Sequence, residues 1–327
     1  MYHGLVRMHD HAKRRAAILK AHPEIKALME PDARTGLVVV LLVALQTTLA
    51  VAVAPRLPAV ALVVLAYVIG AVASHALFLC VHEAAHHLVF CRPAFNRALG
   101  AVANLPALLP YAGVFRHFHL LHHSEQGVPG NDTDLPTELE TWLVVDSAHS
   151  YADRCLRKAI YLSIYLGIYA VRPLVVSQSQ PEVSAWVAVN WVLQIAYVWA
   201  VASSSGVWAV AYLALSTLLA GSLHPVAAHF QAEHTEQVAG IDTYSYYGPL
   251  NYVSLNVGYH NEHHDFPNVP WTRLPRIRAV AAEFYASKSQ QTAWPRLMLV
   301  YVLSDALGPQ ARAVRGREHG VKEGKRA

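Results

Sequence analysis

The chain has 327 residues, 54% of them hydrophobic and 15% charged, with a formal net charge of +4. Soluble domains carry nearer a quarter charged residues, so this balance points to a membrane protein if the apolar residues fall in long runs. The mild charge gives no case for nucleic-acid binding. Three cysteines (Cys80, Cys91, Cys155) are too scattered for a disulfide framework or a C-x-x-C metal site, whereas the 20 histidines nearly equal the 22 acids.

Residues 1–35 hold seven Lys or Arg, four acids and four His, and no apolar signal segment is expected there. Tyr2 follows Met1 where N-myristoylation needs glycine. "DHAKRRAAILKAHPEIKALM", 10–29, predicts a charged helix broken at Pro23. The run 36–54 has Gln46, Thr47 and Thr48 as its polar residues, and 59–80 has Ser74 and His75. Each is near the twenty residues a bilayer core requires, and "APRLP" between them makes a helical hairpin. Pro106 and Pro110 mark 98–115 as broken or surface-lying. Tyr161, Tyr165 and Tyr169 share a helix face in 159–176, which suits an interfacial helix at headgroup level. Residues 185–202 and 207–223 are two more spans, joined by "SSSG".

The expected fold is all-α and polytopic, with about four transmembrane helices in two hairpins, interfacial helices and a histidine-rich cap. Three regions follow: a cytoplasmic segment 1–35, a membrane unit 36–310 and a basic tail 311–327. The opposite-side loops hold only Arg56, so the positive-inside rule puts both termini and the cap in the cytoplasm.

Four histidine groups fall on that side: "HEAAH" at 82–86, "HLLHH" at 119–123, "HFQAEH" at 229–234 and "HNEHH" at 260–264. Residues i, i+3 and i+4 share a helix face, so each H-x-x-H-H aims three imidazoles one way. Neutral imidazole binds Fe, Zn, Cu and Ni. Eight or nine ligands exceed one metal and fit two. A nearly all-nitrogen set differs from the soluble di-iron bundles built on Glu-x-x-His. "HEAAH" also matches the H-E-x-x-H of zinc proteases, with Glu83 as base, but that reading leaves both H-x-x-H-H boxes idle. A metal-binding transporter would place its ligands inside the spans, where only His75 lies.

Three such boxes between paired spans resemble the membrane fatty-acyl desaturases and hydroxylases with a di-iron centre. "HAKRRAAILKAHPEIKALMEPD", "GSLHPVAAHFQAEH", "DTYSYYGPLN" and "NVGYHNEHHDFPNVP" resemble, within that superfamily, the sphingolipid 4-desaturases (dihydroceramide desaturases), over about residues 10–310. The chain departs from that pattern at Tyr2, where several animal members have glycine, and shows local variation at His87 and Trp271. The resemblance implies two ferrous ions, O2 and two electrons, and a trans double bond between C4 and C5 of the sphingoid base of dihydroceramide. It implies as ligands His82, His86, His119, His122, His123, His260, His263 and His264, with His234 as the ninth. His229 is a possible extra ligand and His224 a less certain one.

Glu83, Glu233, Glu262 and Asp265 sit beside these ligands and are expected to orient imidazoles through the second ring nitrogen. Asn131, Asp132, Asp134, Tyr244, Tyr246, Tyr247 and Asn251 are candidates for the substrate's polar head. Asp132 and Asp134 also suit the orienting role. No H-P-G-G haem signature and no flavin or nicotinamide glycine fingerprint occurs in the sequence. The expected partners are therefore a separate electron donor (cytochrome b5 with its reductase, or a ferredoxin), the lipid substrate and the bilayer. The membrane would be the endoplasmic reticulum in a eukaryote or the inner membrane in a bacterium. A sphingolipid C4-hydroxylase and a fatty-acyl desaturase on the same scaffold remain open as alternatives.

Overall fold

The computed structural model describes residues 8–181, 184–286, 290–291 and 293–314. The first seven residues and most of the tail expected over 311–327 lie outside the described residues. The protein is mostly helical; a two-residue parallel pairing of Ser245–Tyr246 with Gln290–Gln291 is its small sheet. Helix α1 (Met8–Ala21) ends before Pro23, which lacks an N–H to continue the ladder, and a 3-10 turn (Pro23–Leu28) follows.

Among the described residues, three helices are long and apolar enough to cross a membrane: α2 (Arg34–Arg56), α3 (Ala59–Ala85) and the stretch Ala185–Ala232. The first two form the expected hairpin. The third begins with a 36-residue helix, Ala185–Ala220. At 1.5 Å per residue that would be about 54 Å if straight, against roughly 30 Å of hydrocarbon. Gly206, at φ 70° and ψ −162°, breaks it, a conformation that glycine adopts without a Cβ clash. The serines of "SSSG" stay helical, so the connection is this single glycine. The two halves run antiparallel. In the first, Gln194 Nε2 donates to Leu105 O at 2.8 Å. At the break, Ser205 Oγ donates to Val51 O at 3.0 Å. In the second, Thr217 Oγ1 returns to Pro106 O at 3.5 Å and Ala220 O faces the His75 ring at 3.3 Å.

A polar network pins the hairpins together. Gln46 Nε2 donates to Ser74 Oγ at 2.7 Å and Gly70 O at 3.0 Å, and Gln46 Oε1 accepts from Tyr212 OH at 2.6 Å. Away from water each of these groups needs a partner, and small residues let the helices close: a Cβ on Gly70 would sit 2.0 Å from Ser216 Oγ.

Two helix pairs are sharply bent. Helix α4 (Pro93–Ala107) meets α5 (Ala112–Glu125) at 109°, at the prolines that predicted a break, and Tyr151–Ser163 meets Tyr165–Val176 at 78°. The second pair departs from the expected single interfacial helix. Its tyrosines do not form a headgroup stripe either. Tyr161 and Tyr165 are buried with Phe230, Trp294 and Tyr301. The Tyr161 hydroxyl donates to Glu140 Oε2 at 2.8 Å and the Tyr169 hydroxyl to Asp134 Oδ1 at 2.9 Å. A buried phenol is stable where its O–H finds such an acceptor.

Candidate metal centre

Each histidine box sits on a helical turn. His82 and His86 close α3, His119, His122 and His123 lie near the end of α5, and His260, His263 and His264 lie on a six-residue helix (His260–Asp265). His234 follows a short turn, His229–Ala232. The hairpins return these elements to one end of the bundle, where the nine rings converge.

They do so in two groups. The ligand atoms of His82, His86, His119, His123 and His263 lie within 4.8 Å of one another, as do those of His122, His234 and His264. His260 joins the second group, its Nε2 2.8 Å from His234 Nε2. In the first group His119 Nε2 lies 2.8 Å from His86 Nε2 and 3.1 Å from His123 Nε2, and His123 Nε2 lies 3.1 Å from His263 Nε2. In the second, His122 Nε2 and His234 Nε2 are 3.2 Å apart. Nitrogens about 2.1 Å from a shared tetrahedral ion would be about 3.4 Å apart, so small adjustments would accommodate one. The buried Nε2 of His264 has no hydrogen-bond partner, as suits an atom aimed at a cation. The residues fit two nitrogen-ligated metal ions.

Electrostatics agree with that fit. Burial first, then neighbouring imidazoles, hold His86, His119, His123, His260, His263 and His264 well below the usual histidine range. Burial and His122 do the same for His234. These rings are neutral and available as ligands. His122 differs. Burial pulls it down, but Asp132 and Asp134 outweigh that and raise it to about 9, so a bound cation would displace its proton.

The second group is braced through its outer nitrogens. Asp132 Oδ1 accepts from His122 Nδ1 at 2.9 Å, and Asp132 also takes the amides of Gly127 and Asp134. The Asp242 carbonyl, which can only accept, fixes His234 Nδ1 as a donor at 3.0 Å. Glu233 approaches His260 Nδ1 to 3.3 Å. The other acids face elsewhere. Glu83 accepts from the Trp271 amide at 3.2 Å and stands 3.9 Å from His82 Nδ1. Glu262, raised by burial to about 7, accepts from Ser245 Oγ and Tyr247 OH at 2.9 and 2.7 Å. Asp265 accepts from Arg14, His11 and Tyr285.

His229 joins neither group. Its Nδ1 is 3.2 Å from Val226 O and its ring packs on His75 at 4.6 Å. His224 accepts the Val226 amide at 3.3 Å instead. Of the residues expected at a head group, Asp132 and Asp134 lie beside His122 and Asn131 is half-buried next to them. Tyr244 OH accepts the amides of Gln237 and Val238. Tyr246 OH accepts the Leu250 amide. Asn251 bridges Tyr246 O and the Gly258 amide. Sequence reasoning missed Gln126, Asp242 and Arg312. Gln126, four residues after His122 and 3.0 Å from His234 Nδ1, was within reach of the helical spacing rule. Asp242 acts through its backbone, and Arg312, bonded to Asp134 Oδ2 and Phe230 O, comes from far along the chain. Neither leaves a pattern in the sequence.

An apolar bundle topped by nine converging imidazoles defines an integral-membrane protein with a histidine-built candidate metal centre. The fatty acid desaturase profile matches residues 58–295 and the sphingolipid Delta4-desaturase profile matches residues 10–34. The chain is 40% identical to sphingolipid delta(4)-desaturase DES1 of Drosophila melanogaster, over 95% of this chain and 94% of that one. It is 39% identical to a DES1-like sphingolipid delta(4)-desaturase of rice, Oryza sativa subsp. japonica (93% and 90% covered). It is also 40% identical to the human sphingolipid delta(4)-desaturase/C4-monooxygenase DES2 (93% and 92%). The chain therefore belongs to the fatty acid desaturase family, in its sphingolipid delta(4)-desaturase group.

Proposed function

We propose that this protein is a membrane oxidoreductase that converts dihydroceramide-type lipids to ceramides by forming a trans double bond between C4 and C5 of the sphingoid base. The convergence of nine imidazoles in two groups carries this reading, supported by the relatives. The balance is one O2, two electrons and two protons consumed, two hydrogens taken from the lipid, and two waters formed. Two iron ions held by the two groups would supply the oxidising power for unactivated C–H bonds.

The chain's own residues perform the rest. His82, His86, His119, His123 and His263 would hold one ion, and His122, His234, His260 and His264 the other. Asp132 and the Asp242 carbonyl keep two of these rings in the tautomer that presents Nε2 inward. A small pocket of about 10 Å³, lined by Leu79, Leu255, Val257, Trp271 and Leu274 together with Glu83, lies against His82 and His263. It has room for about one water, so it would have to widen to pass the lipid chain. C4 lies close to the polar end, so the head group would sit just outside the centre, near Asn131, Asp132 and Asp134.

In the proposed topology both halves of Ala185–Ala220 cross the membrane, which gives four crossings with the boxes and both termini cytoplasmic. Residues 36–310 form the membrane unit. Electrons come from a separate donor, cytochrome b5 with its reductase or a ferredoxin. The membrane is the endoplasmic reticulum in a eukaryote or the inner membrane in a bacterium. The human relative, a delta(4)-desaturase/C4-monooxygenase, favours C4-hydroxylation as a second product.

The test is to express the protein in a host lacking the activity, supply dihydroceramide and an acyl thioester, and locate the new double bond by mass spectrometry. Unsaturation at C4 of the sphingoid base is expected, with iron near two per chain. Unsaturation of the thioester with dihydroceramide untouched would overturn the substrate.

A further inference from the structure

The helix carrying the third histidine box has six residues and no side-chain N-cap. A helix that short does not hold itself together in isolation, yet it supplies His263 to one group and His260 and His264 to the other. At about 100° per residue, the three imidazoles share one face, and Asn261, Glu262 and Asp265 lie on the opposite one. What grips that outer face fixes the box.

Two elements do. Ser245 and Tyr247 hold Glu262. Asp265, fully buried, is held by the N-terminal helix α1 and by Tyr285. Arg14 Nε donates to Asp265 Oδ2 at 2.5 Å, His11 Nδ1 to Oδ1 at 2.7 Å and Tyr285 OH to Oδ2 at 2.9 Å. Arg14 Nη2 also donates to Asn261 Oδ1 at 3.2 Å. The His11 ring packs 5.1 Å from that of His264, so α1 touches a candidate ligand directly. Ile18, Ile25 and Leu28 bury themselves with Phe266, Val269 and Ile277. Residues 10–34, which include these contacts, are the stretch matched by the sphingolipid Delta4-desaturase profile, outside the fatty acid desaturase match.

We propose that α1 is a fastening for the third histidine box, with Arg14, His11 and Tyr285 as positioning residues that act through Asp265. A buried carboxylate deprived of a charged partner is strongly destabilising, so loss of Arg14 drives Asp265 towards water and turns the box with it. The effect falls most on the group containing His264. The proposal's metal consequence rests on the reading that the nine histidines bind iron; its mechanical consequence does not.

The experiment uses the full chain in lipid nanodiscs, loaded anaerobically with ferrous iron. It reads iron per chain, the Mössbauer spectrum and backbone hydrogen exchange over 260–265, with 119–123 as internal reference. Arg14→Ala should weaken iron binding about tenfold at one site, in the range for loss of an outer partner. It should also alter one of two Mössbauer doublets and speed exchange in 260–265 but not in 119–123. Arg14→Lys, which keeps the charge but not both bonds, should fall between. Tyr285→Phe should give a smaller change of the same kind and decides the matter if Arg14→Ala does not fold. Arg154→Ala, which breaks the surface pair with Asp305, should leave all three readouts unchanged. Wild-type iron, spectrum and exchange in both Arg14→Ala and Tyr285→Phe would overturn the fastening. Faster exchange in Arg14→Ala, with no iron in the wild type, would uphold it and sink the metal reading.

Discussion

The two histidine groups share their ligand chemistry and differ in how it is held. In the five-histidine group four rings come from the ends of α3 and α5, and the helical spacing itself aims them. Its neighbouring acid, Glu83, spends a hydrogen bond on the Trp271 amide. In the four-histidine group His122 comes from α5 and the other three rings from a short turn and a six-residue helix, and orientation comes from hydrogen bonds of His122 to Asp132 and of His234 to the Asp242 carbonyl. Helical spacing aims most rings of the first group, whereas outer partners aim rings of the second, on His122 of α5 as well as on His234 beside its turn. The second group should therefore be the more sensitive to changes that leave its ligands in place.

The largest expected effect comes from the ligands. His234→Ala leaves three rings in its group and should bring iron to about one per chain, with desaturation down on the order of 100-fold or more, beyond the range for outer partners. His86→Ala leaves four and should retain more iron, although activity is lost. Elemental analysis of the two variants side by side decides it, and equal iron would erase the difference between the groups. Next, Asp132→Asn should weaken one site by about 10- to 100-fold, while Glu83→Gln should change iron affinity less than about threefold, well below that outer-partner range. Metal titration in nanodiscs checks both, and a Glu83→Gln effect matching that of Asp132→Asn would contradict the contrast. Within the membrane, Tyr212→Phe removes the bond to Gln46 and should cost about 0.6 kcal/mol, at most about 1.7, measured by unfolding in mixed micelles with activity retained. The smallest effect on metal is expected from His229→Gln, which should keep wild-type iron; a loss would bring His229 into the centre after all.

Much of this was legible in the sequence because it is local. The i, i+3, i+4 spacing of the boxes, the apolar runs and the prolines at 106 and 110 each act within a turn or two. The same spacing rule also contained the orientation of Glu262 and Asp265: at about 100° per residue, both point away from the face that carries His260, His263 and His264. Adjacency in sequence suggested that they orient imidazoles, whereas helical geometry sends them to Tyr247 and Arg14. The tyrosine stripe of 159–176 failed differently. Periodicity says which residues share a face, not what covers it, and the acids that make burial tolerable, Glu140 and Asp134, come from another segment. The pairing of Gln46 with Tyr212 and the single-glycine break at Gly206 depend on contacts between distant parts of the chain, which no local pattern encodes.

The break at Gly206 has a consequence for biogenesis. The first two boxes follow one helical hairpin and the third follows the other; His123 and His263, 140 positions apart, meet only if both hairpins leave the bilayer on the same face. A chain whose second hairpin failed to turn at Gly206 would strand the third box across the membrane from the other two. In the proposed topology, ions that bind only the assembled centre would favour correctly inserted chains by mass action, and metal supply would then act as a proofreader of membrane insertion.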